Sequence, residues 1–125
     1  MPLADMRRHL GDFGEAAAAA YLIRQGYTVH ERQWRCRSGE IDLIARQGDQ
    51  VVFVEVRTRR NTPSGSAEES VTPAKQQRLV ELAYAYIEAH NLDEQTPWRI
   101  DVIAVRIDRA GRIVQLTHIP HAVEE

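Results

Sequence analysis

Two apolar runs, EIDLIAR at 40–46 and VVFVEVRT at 51–58, are joined by QGDQ, and this pair constrains the fold more than any other stretch. In the first run Ile41, Leu43 and Ala45 alternate with Glu40, Asp42 and Ile44. In the second, Val52, Val54 and Val56 alternate with Val51, Phe53, Glu55 and Arg57. A period of two marks strands, and a short polar link with glycine and aspartate marks a hairpin. With Gly48-Asp49 as a two-residue loop, Asp42 falls opposite Glu55 and Glu40 opposite Arg57, with all four side chains on one face. Directly opposed side chains have Cβ atoms about 5 Å apart. Two carboxylates at that separation repel by roughly 3 kcal/mol at an effective dielectric near 20. Such a pair requires protonation of one acid, a cationic neighbour or a divalent metal. Two carboxylates converging on one point are what hard, oxygen-ligating cations use.

The remaining elements surround this hairpin. Residues 6–25 read as an alanine-rich helix, with Ala16, Ala20 and Ile23, joined by Ala19 and Leu22, on its core face and Gly26 after its last turn. Residues 27–36 read as a strand whose imperfect alternation points to an edge position or a bulge. Residues 59–71, polar with Gly and Pro, read as a mobile loop. Thr72-Pro73 reads as an N-cap and first helical residue. That helix runs to about His90 and buries Leu79, Leu82, Ala83, Tyr86 and Ile87. Strands over 99–107 and 113–119 follow, separated by the turn DRAG. The order α-β-β-β-α-β-β predicts a single α/β domain over 1–125, with helices covering a mixed central sheet.

Composition narrows the function classes. A chain of 125 residues with 43% apolar and 27% charged residues is long enough for one core. A net charge of −2 exerts no global pull on nucleic acid or membrane, so any polyanion site is a local patch. Cys36 is the only cysteine, which excludes a disulfide framework and leaves a small apolar filler. The run AAAAAYLI at 16–23 is too short to span a bilayer and lacks the basic-then-apolar order of a secretory signal. No membrane association is expected, and the cytoplasm is the expected location.

Asp42, then a gap, then Glu55-Val56-Arg57 at a strand end resembles the signature of the PD-(D/E)XK nuclease superfamily, whose restriction-endonuclease-like core has the order α-β-β-β-α-β. More closely, Gly14-Glu15, GYTVHERQWR, GEIDLIA and VVFVEVRTR resemble the YraN-like bacterial family, similar to Holliday junction resolvases. TPAKQQRL and RIDVIAV extend the likeness over most of the chain. The resemblance implies that Asp42 and Glu55, with the carbonyl of Val56, bind Mg²⁺ or Mn²⁺, and that Glu15 supplies a further acid from the first helix. It implies a water activated by the metal, a cation at position 57 that steadies phosphorane charge, and DNA as substrate. A homodimer is also implied, since resolvase-like enzymes cut two strands with paired sites.

One departure bears on catalysis. The family pattern has lysine at position 57 and this chain has arginine. If the lysine supplies only charge, Arg57 substitutes at some loss. If it acts as a base, activity is in doubt, because arginine does not give up its proton near neutral pH. Lys75, near the start of the second helix, is within plausible reach of the same site and is expected to compensate.

Between residues 32 and 60 seven arginines face four acids. Arg35, Arg37, Arg59 and Arg60 flank the carboxylates, the layout expected for holding a phosphate backbone beside a metal. The plainer readings are solubility charge for the arginines and a neutralised edge pair for Asp42 and Glu55. Glu40 is expected to pair with Arg57 across the strands. His118 and His121 have a metal-like spacing with no acid in register, so no metal site is expected there. The expected function is metal-dependent hydrolysis of DNA phosphodiester bonds. The rival is a nucleic-acid-binding module of the same fold that cleaves weakly or not at all, favoured by Arg57.

Overall fold

The computed structural model describes residues 3–60 and 71–124. The element order is α1 (Leu3–Arg24), β1 (Thr28–Cys36), β2 (Gly39–Gln47), β3 (Gln50–Arg60), α2 (Pro73–Ala89), β4 (Trp98–Ile107) and β5 (Ile113–Val123). The expected α-β-β-β-α-β core is present, followed by one more strand. All five strands form one sheet in sequential order, antiparallel except for the parallel β3–β4 step. That step needs a crossover, and α2 lies within it. The expected loop over 59–71 falls largely on residues 61–70, outside the described residues, while Arg59 and Arg60 belong to β3.

Turn chemistry sets the hairpin. Gln47 pairs with Gln50 and the register runs through Leu43–Val54, leaving Gly48-Asp49 as the loop. Gly48 takes φ +59°, the positive value that the first position of a tight hairpin turn often requires. Helix α2 starts as its sequence predicts. The Thr72 hydroxyl accepts the Lys75 N–H at 3.2 Å, and Pro73 occupies the first turn. The irregular alternation of β1 has both expected causes: β1 is an edge strand, and its register shifts between Val29 and Glu31.

The sheet is covered on both faces. Leu79, Leu82, Ala83 and Tyr86 of α2 pack on Ile41, Ile44, Val51, Phe53, Ile100 and Val102. Ala18, Ala19 and Leu22 of α1 pack on Leu43, Ala45, Val52, Val54, Ile103, Val105 and Ile107. Helix α1 is rotated from the expected face. Ala16 and Ala20 are exposed and Ile23 is 58% exposed, while Gly14, Glu15, Ala18, Ala19 and Leu22 face inward. A run of alanines lacks the contrast that fixes helical phase, so close packing decided it. Cys36 is half-buried against the α2-side core.

Candidate functional site

A slip in the pleat builds the site. Alternation places Leu43 and Ala45 toward α1, yet Ile41 packs on the α2 side. The slip lies at Asp42. Its opposite residue Gln33 has φ +52°, and this pair is missing from an otherwise continuous β1–β2 register from Glu31–Ile44 to Cys36–Gly39. The kink turns Asp42 and Glu40 toward α1. On the other side of β2, pairing with β3 ends at Leu43–Val54. Beyond it the Val56 N–H donates to Asp42 Oδ2 at 2.8 Å, so a side chain replaces the next rung of the ladder.

Helix α1 brings its acid to this gap by close approach. A Cβ on Gly14 would overlap the Thr58 side chain of β3, so only glycine lets the helix lie this near. The next residue, Glu15, is buried, and its Oε2 accepts from Gln33 Nε2 at 2.7 Å. Glu15, Glu40 and Asp42 then offer carboxylate oxygens within 4.8 Å of one another. They line a cleft of about 490 Å³ with Gly11, Asp12, Gln33, Arg35 and Val56.

Glu55 approaches from the other face. Its neighbours Val54 and Val56 pack toward α1, so its carboxylate turns toward α2. There Lys75 Nζ lies 3.0 Å and Arg57 3.7 Å from Glu55 Oε2. Lys75 is the only lysine of the chain. Neither cation makes a well-angled hydrogen bond to that oxygen. Glu55 Oε2 and Arg57 Nε are thus buried without a hydrogen-bond partner. In the strand gap Glu55 meets Asp42. Burial, then the hydrogen bond and charge of Glu55, push the Asp42 carboxyl up to about 9; the Val56 N–H works against this, and the Glu15 charge adds to it. At neutral pH a proton therefore holds these two acids together.

The structure brings Asp42, Glu55, Glu15, Arg57, Lys75 and Val56 to one strand gap, with the carboxylates divided between its two sides. Glu40 joins the acid cluster, and its cation is Arg35 at 2.8 Å, not Arg57. The slip at Asp42 had already turned Glu40 away from the face that Arg57 occupies. Arg35 lines the cleft, Arg37 is exposed in the β1–β2 turn, and Arg59 and Arg60 are exposed at the end of β3. An oxygen-only donor set, with the Glu15, Glu40 and Asp42 oxygens within 4.8 Å of one another, suits a hard divalent cation.

A second polar cluster was not expected. Asp101, fully buried in β4, accepts from Arg99 Nε at 2.8 Å and the His121 N–H at 3.1 Å on Oδ1. On Oδ2 it accepts from Arg99 Nη2 at 3.1 Å and contacts His118 Nε2 at 2.7 Å. Arg99 also binds Tyr27, Gln47 and Gln50, and Tyr21 Oη lies 3.1 Å from His118 Nδ1. His118 therefore does have a partner acid. The bulge in the β4–β5 register between Ile100 and Val102 brings Asp101 to it diagonally. The signal was present in the sequence, as Arg99 and Asp101 stand two apart at the start of a strand whose next four residues are apolar. Both Asp101 oxygens are fully engaged, so this cluster ties four strands together and leaves no ligand for a metal.

Fold and site together define a mixed α/β protein with an α-β-β-β-α-β core and an acid cleft where two strands part. Residues 14–105 match the model of "Uncharacterised protein family UPF0102". A UPF0102 protein of Chloroflexus aurantiacus is 60% identical over 119 residues, 95% of this chain and 96% of its own. Relatives from Roseiflexus castenholzii, 53% identical over 95% and 96% of the two chains, and Pelotomaculum thermopropionicum, 44% over 96% and 99%, are similar throughout. The chain belongs to the UPF0102 family, the YraN-like group that its motifs resemble. Among the described residues no helix is long and apolar enough to cross a membrane.

Proposed function

We propose that this protein is a metal-dependent, nuclease-like hydrolase of DNA phosphodiester bonds, of the structure-selective, resolvase-like kind. The observation that carries the reading is the convergence of Glu15, Glu40 and Asp42 oxygens within 4.8 Å, at a gap where Asp42 also meets Glu55. Asp42 with Glu15 and Glu40, joined by Glu55 and the Val56 carbonyl, would hold Mg²⁺ or Mn²⁺. When bound, such an ion polarises a phosphoryl oxygen and acidifies water.

The chain's own residues supply the rest. The Val56 N–H orients Asp42. Gln33 orients Glu15 and keeps one of its oxygens engaged. Lys75, a flexible ammonium with three donors, stands at Glu55 where the family lysine would. Arg57 keeps a fixed charge beside it for the phosphate. On this reading the departure at position 57 is met by a fixed charge on β3 and an ammonium brought from α2.

The test is cleavage of duplex, single-stranded and four-way-junction DNA with Mg²⁺ and Mn²⁺, comparing wild type with Asp42→Ala and Glu55→Ala. Loss in both variants supports hydrolysis at this site; cleavage that survives both removes it. The rival, a binding module of the same fold, draws on the two cations already held by Glu55. It predicts steeply salt-dependent DNA binding with no metal-dependent cleavage.

A further inference from the structure

The end of the sheet beyond Glu55 carries an arrangement that the acid cleft does not use. In the parallel β3–β4 ladder Glu55 pairs with Val102, Arg57 with Ala104 and Arg59 with Arg106. Paired residues of parallel strands point to the same face, so Arg57, Arg59 and Arg106 share the face on which Phe53 and Val102 pack against α2. Helix α2 covers that face only as far as Val102. Beyond it Ala104 and Arg106 are half-buried, while Val105 and Ile107 on the opposite face are fully covered.

Two of these guanidinium groups stand directly opposite each other on adjacent strands, a like-charge pairing that destabilises a sheet unless something neutralises it. Among the described residues no acid lies within ion-pair distance of Arg59 or Arg106. Among those residues the Arg59 side chain bonds the adjacent Thr58 carbonyl at 3.4 Å. Buried guanidinium N–H groups are normally satisfied, yet Arg57 Nε and Arg106 Nε both lack a partner. Across from Arg106 on β5 sits Gln115, which brings no charge. Three planar cations stand side by side; two have an unsatisfied N–H, Arg57 has Glu55 at 3.7 Å, and Arg59 and Arg106 have no counter-charge among the described residues, an arrangement that matches the bidentate geometry of phosphate oxygens.

We propose that Arg57, Arg59 and Arg106 form a phosphate track that carries a nucleic-acid backbone across β3 and β4 on the α2 face. Arg106 is then a phosphodiester contact that the strand pattern around it hides. The track begins at Arg57 beside Glu55 and runs away from the carboxylate cleft, which opens toward α1. The contacts are to backbone only, so they add affinity without base preference.

The proposal rests on the nucleic-acid reading above, and its test separates the two. Binding of a fluorescein-labelled DNA duplex is followed by anisotropy in EDTA over a salt series, for wild type, Arg106→Gln, Arg106→Lys and Arg59→Gln. Arg106→Gln is expected to weaken binding roughly tenfold at low salt and to lower the slope of log K against log salt by about one. Arg106→Lys restores the slope, because it keeps the charge, and Arg59→Gln lowers it by a similar step. Thermal melts of the same variants accompany the series, and Arg106→Gln is expected to melt no lower than wild type, since it removes a repulsion. An unchanged slope in Arg106→Gln and Arg59→Gln, with wild type binding normally, overturns the track and leaves the cleft reading standing. No duplex binding by wild type, with no cleavage, overturns both.

Discussion

Lys75 Nζ lies 3.0 Å from Glu55 Oε2, and Lys75 is the only lysine in the chain. Helix α2 therefore brings a lysine ammonium to the glutamate of β3, while the strand itself offers arginine. Lys75→Ala is expected to lower metal-dependent cleavage by about 10²-fold or more. Arg57→Lys, which keeps the charge at that position, should stay within a few-fold of wild type. Single-turnover rates on the best DNA substrate measure both, and full activity in Lys75→Ala ends the idea that the amine has moved to α2.

The Asp42 carboxyl, pushed up to about 9 from its ordinary 3.8 by burial and by Glu55, gives the metal-free protein a pH dependence with a definite sign. Folded chains retain a proton that unfolded chains release above about pH 4. The stabilising contribution is thus complete below the unfolded value and is lost as pH rises toward 9. Denaturant unfolding in EDTA at several pH values between 5 and 9 should show wild type losing stability relative to Asp42→Asn, by up to about 1.4 kcal/mol per pH unit. Parallel curves for the two proteins would contradict the shared proton.

Gly14 admits α1 to the sheet against Thr58. Gly14→Ala is expected to cost about 1–3 kcal/mol through overpacking and to displace Glu15 from the cleft, so cleavage falls along with stability. Combining it with Thr58→Ala removes the closest overlapping atom and should recover part of both. Thermal melts and cleavage rates on the two variants decide whether the loss is one of fit.

Asp101 works against acid. Burial alone would raise its carboxyl, but bonds from His118 and Arg99, the Arg99 charge and the His121 N–H hold it below 3.8. Its contribution is therefore present above pH 3.8 and lost as pH falls through the lower folded value. Asp101→Ala strands the buried Arg99 and is expected to cost about 3–5 kcal/mol at neutral pH. Equilibrium unfolding of wild type and variant at pH 7 and below pH 4 reads both effects, and the gap between them should close in acid.

How much of this the sequence disclosed depends on contrast. The β2–β3 turn and its register as far as Leu43–Val54 were legible, because Gly48-Asp49 leaves one register, but the expected Asp42–Glu55 and Glu40–Arg57 pairs on one face did not form. The start of α2 was legible for a similar reason, in Thr72 and Pro73. Helix α1 was not: with alanine at 16–20, rotating the helix changes little in apolar pattern, and the phase was decided by Gly14 against Thr58. Nor was the slip at Asp42, since strict alternation carries no mark of a residue about to break it, and Gln33 in a left-handed conformation is not a residue that signals one. That slip is why Glu40 joined the cleft. Asp101 and Arg99 were visible as letters but read as part of an apolar strand, and their partners come from positions as distant as Tyr27 and His118.

The single parallel step in the sheet has a bearing on how the site comes into being. Hairpins close locally, and the four acids of the gap all lie within the first 55 residues. The chain must then travel back the length of the sheet before β4 can align beside β3, and Lys75 rides on that return journey. The ammonium thus reaches Glu55 only in the same long-range closure that completes the sheet, and Arg106 meets Arg59 in that closure too. A half-folded molecule would present clustered acids without the Lys75 ammonium and a strand edge without its neighbour, so the site is completed only when the architecture is.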